Sequence, residues 1–123
     1  LTKDKIHEEK ILFIKGRKFN IKSYYQGITR FDFKDLCNKN IGAKDYIKIA
    51  KVCNFMIIEN LPNFNDNNSN QQQRFITLID IIYEKKISLA VSSESSLQEI
   101  TSSNNLVEQF KRTSSRLYEL TSR

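Results

Sequence analysis

The sequence has 123 residues and a net charge of +6, with 28% charged residues, 39% hydrophobic residues, eight Phe and five Tyr. This profile predicts one folded domain over residues 1–123 around a single core, and it excludes a disordered chain and a second independent core. No apolar run reaches the roughly 18 to 20 residues of an integral membrane span, and the charged start is not that of a secretory signal.

The first third of the chain is strand-rich. Short alternating apolar runs at 11–14, 19–21 and 28–33 predict antiparallel strands at the N-terminus, with tight turns between them near Gly16 and Gly27. Next, Asp32 or Asp35 is placed to cap a short helix through Leu36 and Cys37, which the Asn-rich residues 38–40 would end.

Residues 34–123 show an α/β pattern. After Gly42, apolar residues at helical spacing predict one helix, and the continuous apolar run 55–58 predicts a buried strand. The polar stretch 63–73 is expected to be a surface loop whose length is free to vary.

The second helix of this region has the clearest period in the chain. Its apolar stripe consists of Phe75, Leu78, Ile79, Ile82 and Tyr83. A second apolar strand follows at 87–91, so the strand, helix and strand predict a right-handed βαβ unit with parallel strands.

Two further helix starts are predicted before the end of the chain. The Ser96 to Glu99 spacing is typical of a helix N-terminus whose hydroxyl and carboxylate cover free backbone amides. A C-terminal helix is expected from residue 104 or 105. Because the chain begins at Leu1 and this helix pattern reaches Arg123, we expect both ends to lie inside a longer gene.

Several kinds of site are absent from the sequence. The only glycines, at positions 16, 27 and 42, cannot form either glycine-rich phosphate-binding motif. The single histidine, His7, excludes histidine-based triads and multi-histidine metal sites. Cys37 and Cys53 have no metal-ligand or redox spacing, so we interpret both as reduced core residues.

The basic charge lies in the first half of the chain. Residues 1–61 hold 13 Lys or Arg against 7 Asp or Glu, whereas residues 62–123 hold 7 of each. Two interpretations remain open: a lysine-rich solvated face produced by an AT-rich genome, or a binding site for nucleic acid or an anionic membrane surface.

Three charged residues are candidates for chemistry. Asp80 lies inside a helix with no cation four residues away, so it either takes a salt-bridge partner from elsewhere in the fold or lies beside a nucleotide. Arg112 and Arg116 share a helix face, where they either form a salt-bridged surface with help from Glu108 or reach a γ-phosphate. Asp32 and Asp35 are better explained as cap and dipole partners than as an acid and base pair.

Five segments in order resemble the C-terminal part of the ZapE family of cell-division ATPases, whose mitochondrial relatives are the AFG-like, lactation-elevated proteins. The segments are FDFKDLC (31–37), IGAKDYIKIAKVC (41–53), FMIIENLP (55–62), RFITLIDIIYEKKISLAVSS (74–93) and FKRTSSRLYEL (110–120). The motif positions are Asp45, Tyr46, Arg74, Phe75, Asp80, Arg112, Ser115 and Arg116. Two residues depart from the family pattern, Leu120 in place of Met and Gln73 in place of a first Arg. The second departure weakens a paired-arginine role at 73 and 74, so Arg112 and Arg116 become the better phosphate-facing candidates.

The resemblance implies an AAA-like P-loop ATPase whose Walker segments lie upstream. It implies ATP and Mg²⁺ as ligands of the whole protein, with none bound by this fragment alone, which is then inactive by itself. Cell-division or protein quality-control proteins are the implied partners, homo-oligomer formation is left open, and nucleic acid is not expected. The implied location is cytoplasmic, peripheral at the division site. The alternative is a basic module that binds nucleic acid or proteins without catalysis.

Overall fold

Five strands form one mixed sheet in the order β1-β2-β3-β4-β5. The structure is a computed structural model that describes residues 8–14, 17–37 and 40–122. The strands are β1 Glu8–Ile14, β2 Arg17–Tyr25, β3 Ile28–Asp32, β4 Phe55–Leu61 and β5 Ser88–Ser93. The helices are α1 Phe33–Leu36, α2 Ala43–Ala50, α3 Ser69–Glu84 and α4 Val107–Thr121. Predictions about His7, Gly16 and the helix stop at 38–39 lie outside the described residues.

The first three strands are joined by short connections. β1 pairs with β2 and β2 with β3, both antiparallel. The turn between β2 and β3 places Gln26 at φ 48° and Gly27 at φ 87°, a left-handed conformation that favours glycine. A Cβ atom at Gly27 would lie 2.8 Å from Nδ2 of Asn54, so a side chain here would have to displace the Asn54 amide.

The parallel part of the sheet has three strands, β3, β4 and β5. β4 and β5 with α3 between them are the βαβ unit that the sequence predicts, and the α/β class is confirmed. The sequence pattern does not show that β3 belongs to this unit as well. Because β3 pairs with β2 on one side and β4 on the other, the strand-rich start and the α/β remainder share one sheet.

Asp32 ends β3 one residue earlier than predicted. Its carboxylate accepts a hydrogen bond of 3.0 Å from the backbone amide of Lys34 and so caps α1, as the sequence indicates for Asp32 or Asp35. Phe33, expected in the strand, is therefore the first residue of the helix, and its side chain is buried.

The prediction of a surface loop at 63–73 is wrong. A 3-10 turn spans Asp66–Asn68, α3 begins at Ser69, and the side chains of Phe64 and Gln72 are both fully buried. The amide of Gln72 donates to Oγ of Ser102 at 2.7 Å and accepts from the backbone amide of Ser103 at 3.0 Å. The polar composition of this segment therefore does not indicate a solvent-exposed loop, because a buried polar side chain such as Gln72 is satisfied by hydrogen bonds within the fold.

Further hydrogen bonds between side-chain oxygens and backbone amides join the same segment to the residues after β5. Oδ1 of Asn63 accepts from the backbone amide of Thr101 at 3.2 Å, and the carboxylate of Asp66 accepts from the backbone amide of Asn104 at 2.9 Å. We refer to the bonds that join 63–72 to 95–104 as the amide network.

The predicted helix start at Ser96 is also wrong in its detail. A 3-10 turn of three residues, Leu97–Glu99, follows Ser96, and the Ser96 hydroxyl donates to Oε1 of Glu99 at 2.8 Å. The two side chains therefore bond to each other and leave the backbone amides uncapped. A second 3-10 turn at Asn104–Leu106 leads into α4, close to the predicted start of the last helix.

Four phenylalanines meet at the centre of the core. Phe33, Phe64, Phe75 and Phe110 have neighbouring ring centroids 5.6 to 6.0 Å apart, in tilted or edge-to-face arrangements. They come from α1, the segment after β4, α3 and α4. This aromatic cluster therefore ties both long helices to the rest of the domain. None of the helices in the described ranges is long and apolar enough to cross a lipid bilayer.

Replacing Phe64 by Ala should lower the free energy of unfolding by about 3 to 5 kcal/mol, because the cavity would lie in the aromatic cluster. Tyr118, which is 57% exposed on α4, is the matched aromatic control, and Tyr118→Ala should change the value by less than about 0.5 kcal/mol. Urea unfolding of the two variants measures the difference. Equal effects would contradict the central position of Phe64.

Candidate functional site

Asp80 and Arg116, two of the predicted site residues, are brought together where α3 and α4 pack side by side. Nη1 of Arg116 donates to Oδ1 of Asp80 at 2.5 Å. The guanidinium carbon lies 4.7 Å from the centre of the Tyr83 ring, and the Tyr83 hydroxyl bonds to Oε1 of Glu119 at 3.3 Å. We call these four residues the arginine cluster.

The arginine cluster answers the question that the sequence leaves open about Asp80. The partner arrives from another helix, α4, and it is an arginine with a charge-assisted hydrogen bond. The two side chains are 31% and 42% exposed, for Arg116 and Asp80, so water weakens their attraction. Tyr83, which stacks on the guanidinium, was not singled out from the sequence as a functional residue; its i, i+3 spacing from Asp80 on α3 is the signal that was present.

Arg112 has a different environment from Arg116. Its side chain is exposed, and it has no ion pair or hydrogen bond with any residue in the described part of the chain. Glu108, which the sequence predicts to relieve Arg112, instead accepts from Nζ of Lys111 at 3.1 Å. Ser115 is exposed as well. The outward side of α4 therefore presents Arg112 and Ser115 to solvent.

A second group forms under α2 from Cys37, Asp45, Tyr46 and Arg74. Oδ2 of Asp45 accepts from the backbone amide of Gly42 at 2.7 Å and fixes the start of α2, and the Tyr46 hydroxyl donates to the carbonyl of Leu36 at 2.8 Å. Asp45 and Tyr46 thus bond to backbone groups of Gly42 and Leu36, and the charge of Arg74 acts on Cys37 and Tyr46.

Burial is the largest cause of the pKa shifts of Cys37 and Tyr46 in this second cluster of residues. It raises the pKa of the Cys37 thiol from 9.0 to about 12, although a hydrogen bond with Tyr46 and the positive charge of Arg74 act in the opposite direction. Burial also raises the pKa of the Tyr46 phenol. Both groups therefore remain protonated near neutral pH, which suits packing rather than nucleophilic chemistry.

A polar row that sequence reasoning missed lies at the carboxyl ends of the parallel strands. Nδ2 of Asn60 donates to Oδ2 of Asp32 at 2.7 Å, and its backbone amide donates to Oγ of Ser92 at 3.0 Å. Asn60 has φ 63°, a left-handed backbone that asparagine tolerates. The available signal is that Asp32, Asn60 and Ser92 each lie at the last or next-to-last position of three adjacent strands.

A cleft of about 540 Å³ opens beside this row. It is lined by residues 60–63 and 92–94, which are the last residues of β4 and β5 and those that directly follow. In open α/β sheets, ligands bind outside the carboxyl ends of the strands, so the cleft has the position of a ligand site. The hydrogen bond from Asn60, with a smaller effect of the Lys34 amide, lowers the pKa of Asp32. Within residues 8–14, 17–37 and 40–122, no group of three or more His, Cys, Asp or Glu side chains is placed to hold a metal ion.

The family model of the AFG1-like ATPase matches residues 1–123. The chain belongs to the AFG1-like ATPase family. The resemblance inferred from the five sequence segments is thereby confirmed, and the family includes relatives from both bacteria and eukaryotes.

Three relatives illustrate the range of the AFG1-like family. Lactation elevated protein 1 homolog B of Danio rerio is 30% identical over 91 residues, which is 74% of this chain and 18% of that protein. Cell division protein ZapE of Escherichia coli K12 is 32% identical over 90 residues, 73% of this chain and 24% of that protein. An uncharacterised Schizosaccharomyces pombe protein is 31% identical over 98 residues, which is 80% of this chain and 21% of that protein. No solved structure matches the chain. The chain thus spans about a fifth of the length of these curated relatives.

Asp80 and Arg116 should be energetically coupled. In a double-mutant cycle of Asp80→Ala and Arg116→Ala, we expect a coupling energy of about 0.5 to 1 kcal/mol, modest because both side chains are partly exposed. The control cycle of Asp80→Ala with Arg112→Ala should give nearly zero. Urea unfolding measures all variants, and equal coupling in the two cycles would contradict the assigned pair.

Alkaline pH should destabilise the fold through its buried acids. In the unfolded chain the Cys37 thiol loses its proton near 9.0, whereas in the folded chain it keeps it to about 12. Its stabilising contribution is therefore complete below pH 9 and falls as pH rises towards 12. The free energy of unfolding of Cys37→Ala should decline less steeply over this range, and that of the exposed-phenol control Tyr118→Phe should decline as in the parent chain. Identical slopes for Cys37→Ala and the parent would disprove the assignment.

Proposed function

We propose that the chain is a C-terminal portion of an ATPase that couples ATP binding and hydrolysis to action on protein partners. The match of the AFG1-like ATPase model to residues 1–123 carries this proposal. The matched regions make up 18% and 24% of two curated relatives, and in this proposal the phosphate-binding loop and the Mg²⁺ site lie in other parts of a longer protein. With three glycines and no such motif, these residues alone should not hydrolyse ATP.

The proposed partners are cell-division or protein quality-control proteins. One relative is named a cell division protein, which supports the first class. A cytoplasmic location with a peripheral position at the division site, and assembly with further copies of the chain, stay predictions.

The role of this region in hydrolysis is proposed to lie with α4. Arg112 is exposed and without a partner in the described chain, so its guanidinium is available to an anion that belongs to another part of the protein or to another subunit. A positioned arginine stabilises the charge that develops on the transferred phosphoryl group. Arg116 is the second candidate, because a phosphate would have to compete with Asp80 for it. In this proposal Arg116 positions α4 on α3, and Arg112 faces the phosphate.

The test is steady-state ATP hydrolysis by the longer protein that carries this chain together with its phosphate-binding loop. Arg112→Ala should reduce kcat by about 10²- to 10³-fold, with the melting temperature unchanged. Lys111→Ala, the neighbouring exposed cation, is the matched control and should retain the parent rate. Arg112→Lys should recover only part of kcat, since lysine lacks the planar fork.

The variant Arg116→Ala distinguishes the role of Arg116 from that of Arg112. We expect a lower melting temperature and a smaller loss of kcat than in Arg112→Ala. If Arg112→Ala hydrolyses ATP at the parent rate while Arg116→Ala does not, the phosphate-facing role belongs to Arg116. If both variants keep the parent rate, neither arginine acts on the phosphate.

A further inference from the structure

A shallow groove lies between α2 and the C-terminal end of α3. It has a volume of about 290 Å³ and is lined by Ile47, Ile81, Glu84 and Lys85. Ile47 is 38% exposed. Among residues 26–37 and 40–122, the other large hydrophobic side chains exposed to this degree are Val107 and Tyr118, both on α4. The groove therefore offers an apolar contact point at a surface that is otherwise charged.

Lysines surround this groove. Lys44 and Lys51 lie three residues before and four residues after Ile47, and so share its side of α2, with Lys48 adjacent. Lys85 and Lys86 follow the end of α3. The side chains of all five lysines are exposed. Asp45, the acidic residue of α2, is buried and bonded to the Gly42 amide, so it does not offset these charges at the surface.

The side chains in and around the groove favour one class of partner. A recess with two apolar side chains, Ile47 and Ile81, and a lysine rim complements a protein segment that carries carboxylates on both sides of an apolar anchor residue. Single-stranded nucleic acid is held by cations on its phosphates together with aromatic rings that stack on its bases, and the described lining has an acid, Glu84, and no aromatic ring. Membrane binding needs a row of protruding apolar side chains, whereas Ile47 is the one exposed large hydrophobic residue of α2.

We propose that α2 and α3 form a docking groove for an acidic protein segment with one apolar anchor side chain, which enters between Ile47 and Ile81. The inference deepens the partner binding that the proposed function includes, and it does not depend on ATP turnover. Glu84, which also lines the groove, repels a carboxylate placed inside it and so favours an uncharged anchor side chain.

The test is fluorescence anisotropy of the full chain with a fluorescein-labelled peptide of glutamates that has a central leucine. Binding is expected, and it should weaken as ionic strength rises. Ile47→Ser and Lys48→Glu should each reduce affinity about three- to tenfold, whereas Lys48→Arg should bind as the parent does. Lys111→Glu, a charge reversal at an exposed lysine of α4, is the matched control and should have no effect. Circular dichroism verifies that each variant is folded.

Several results would overturn the proposal. One is equal affinity for a peptide whose leucine is replaced by glycine, because the groove would then play no part. Another is an equal loss of affinity in Lys111→Glu and Lys48→Glu, which indicates attraction to net charge alone. A third is binding of a DNA duplex or of phosphatidylserine vesicles with no binding of the glutamate peptide, since the partner is then of another class.

A second measurement keeps this inference separate from the proposed ATPase function. The basal ATP hydrolysis of the longer protein should be unchanged in Lys48→Glu. If the peptide fails to bind while hydrolysis is normal, the docking groove is wrong and the ATPase function stands. If the peptide binds and no hydrolysis occurs in the longer parent protein, the groove stands and the ATPase function is wrong.

Discussion

The structure depends on the burial of four aromatic rings contributed by four separate segments. Phe75 on α3 contacts Phe33 and Phe64, and Phe64 contacts Phe110 on α4. Because edge-to-face packing fixes both distance and orientation, this cluster determines how the two long helices lie against one another and against α1. The polar arrangements at the surface are consequences of that packing.

The ion pair of Asp80 and Arg116 is the first such consequence. The cluster places one face of α4 in the core, where Phe110, Leu117 and Leu120 are buried, and this brings Arg116 beside α3. Arg112 lies one turn earlier and remains exposed. Two arginines that appear equivalent in the sequence therefore differ in what they can do. One is occupied in holding two helices together, and the other is available to a group outside the described chain.

The sequence predicts most of the regular elements because hydrophobic period is a local property. The stripe of α3, the apolar runs of β4 and β5, and the Asp32 cap can all be inferred from neighbouring residues. The pairing of Asp80 with Arg116 cannot, since it joins residues 36 apart in the chain and depends on helix packing. The burial of Gln72 cannot be predicted from the sequence either, but for another reason. A glutamine is buried without large cost only when its partners are present, and these lie about thirty residues later.

The amide network limits the insertions that this segment can accept. Residues 62–73 contain many Asn and Gln, and side chains among them bond to particular backbone groups in 95–104. An inserted residue would shift these side chains away from their partners and leave the buried amide of Gln72 without its hydrogen bonds. The number of residues between Leu61 and Phe75 is therefore under geometric constraint, as in a strand register, although its composition is that of a linker.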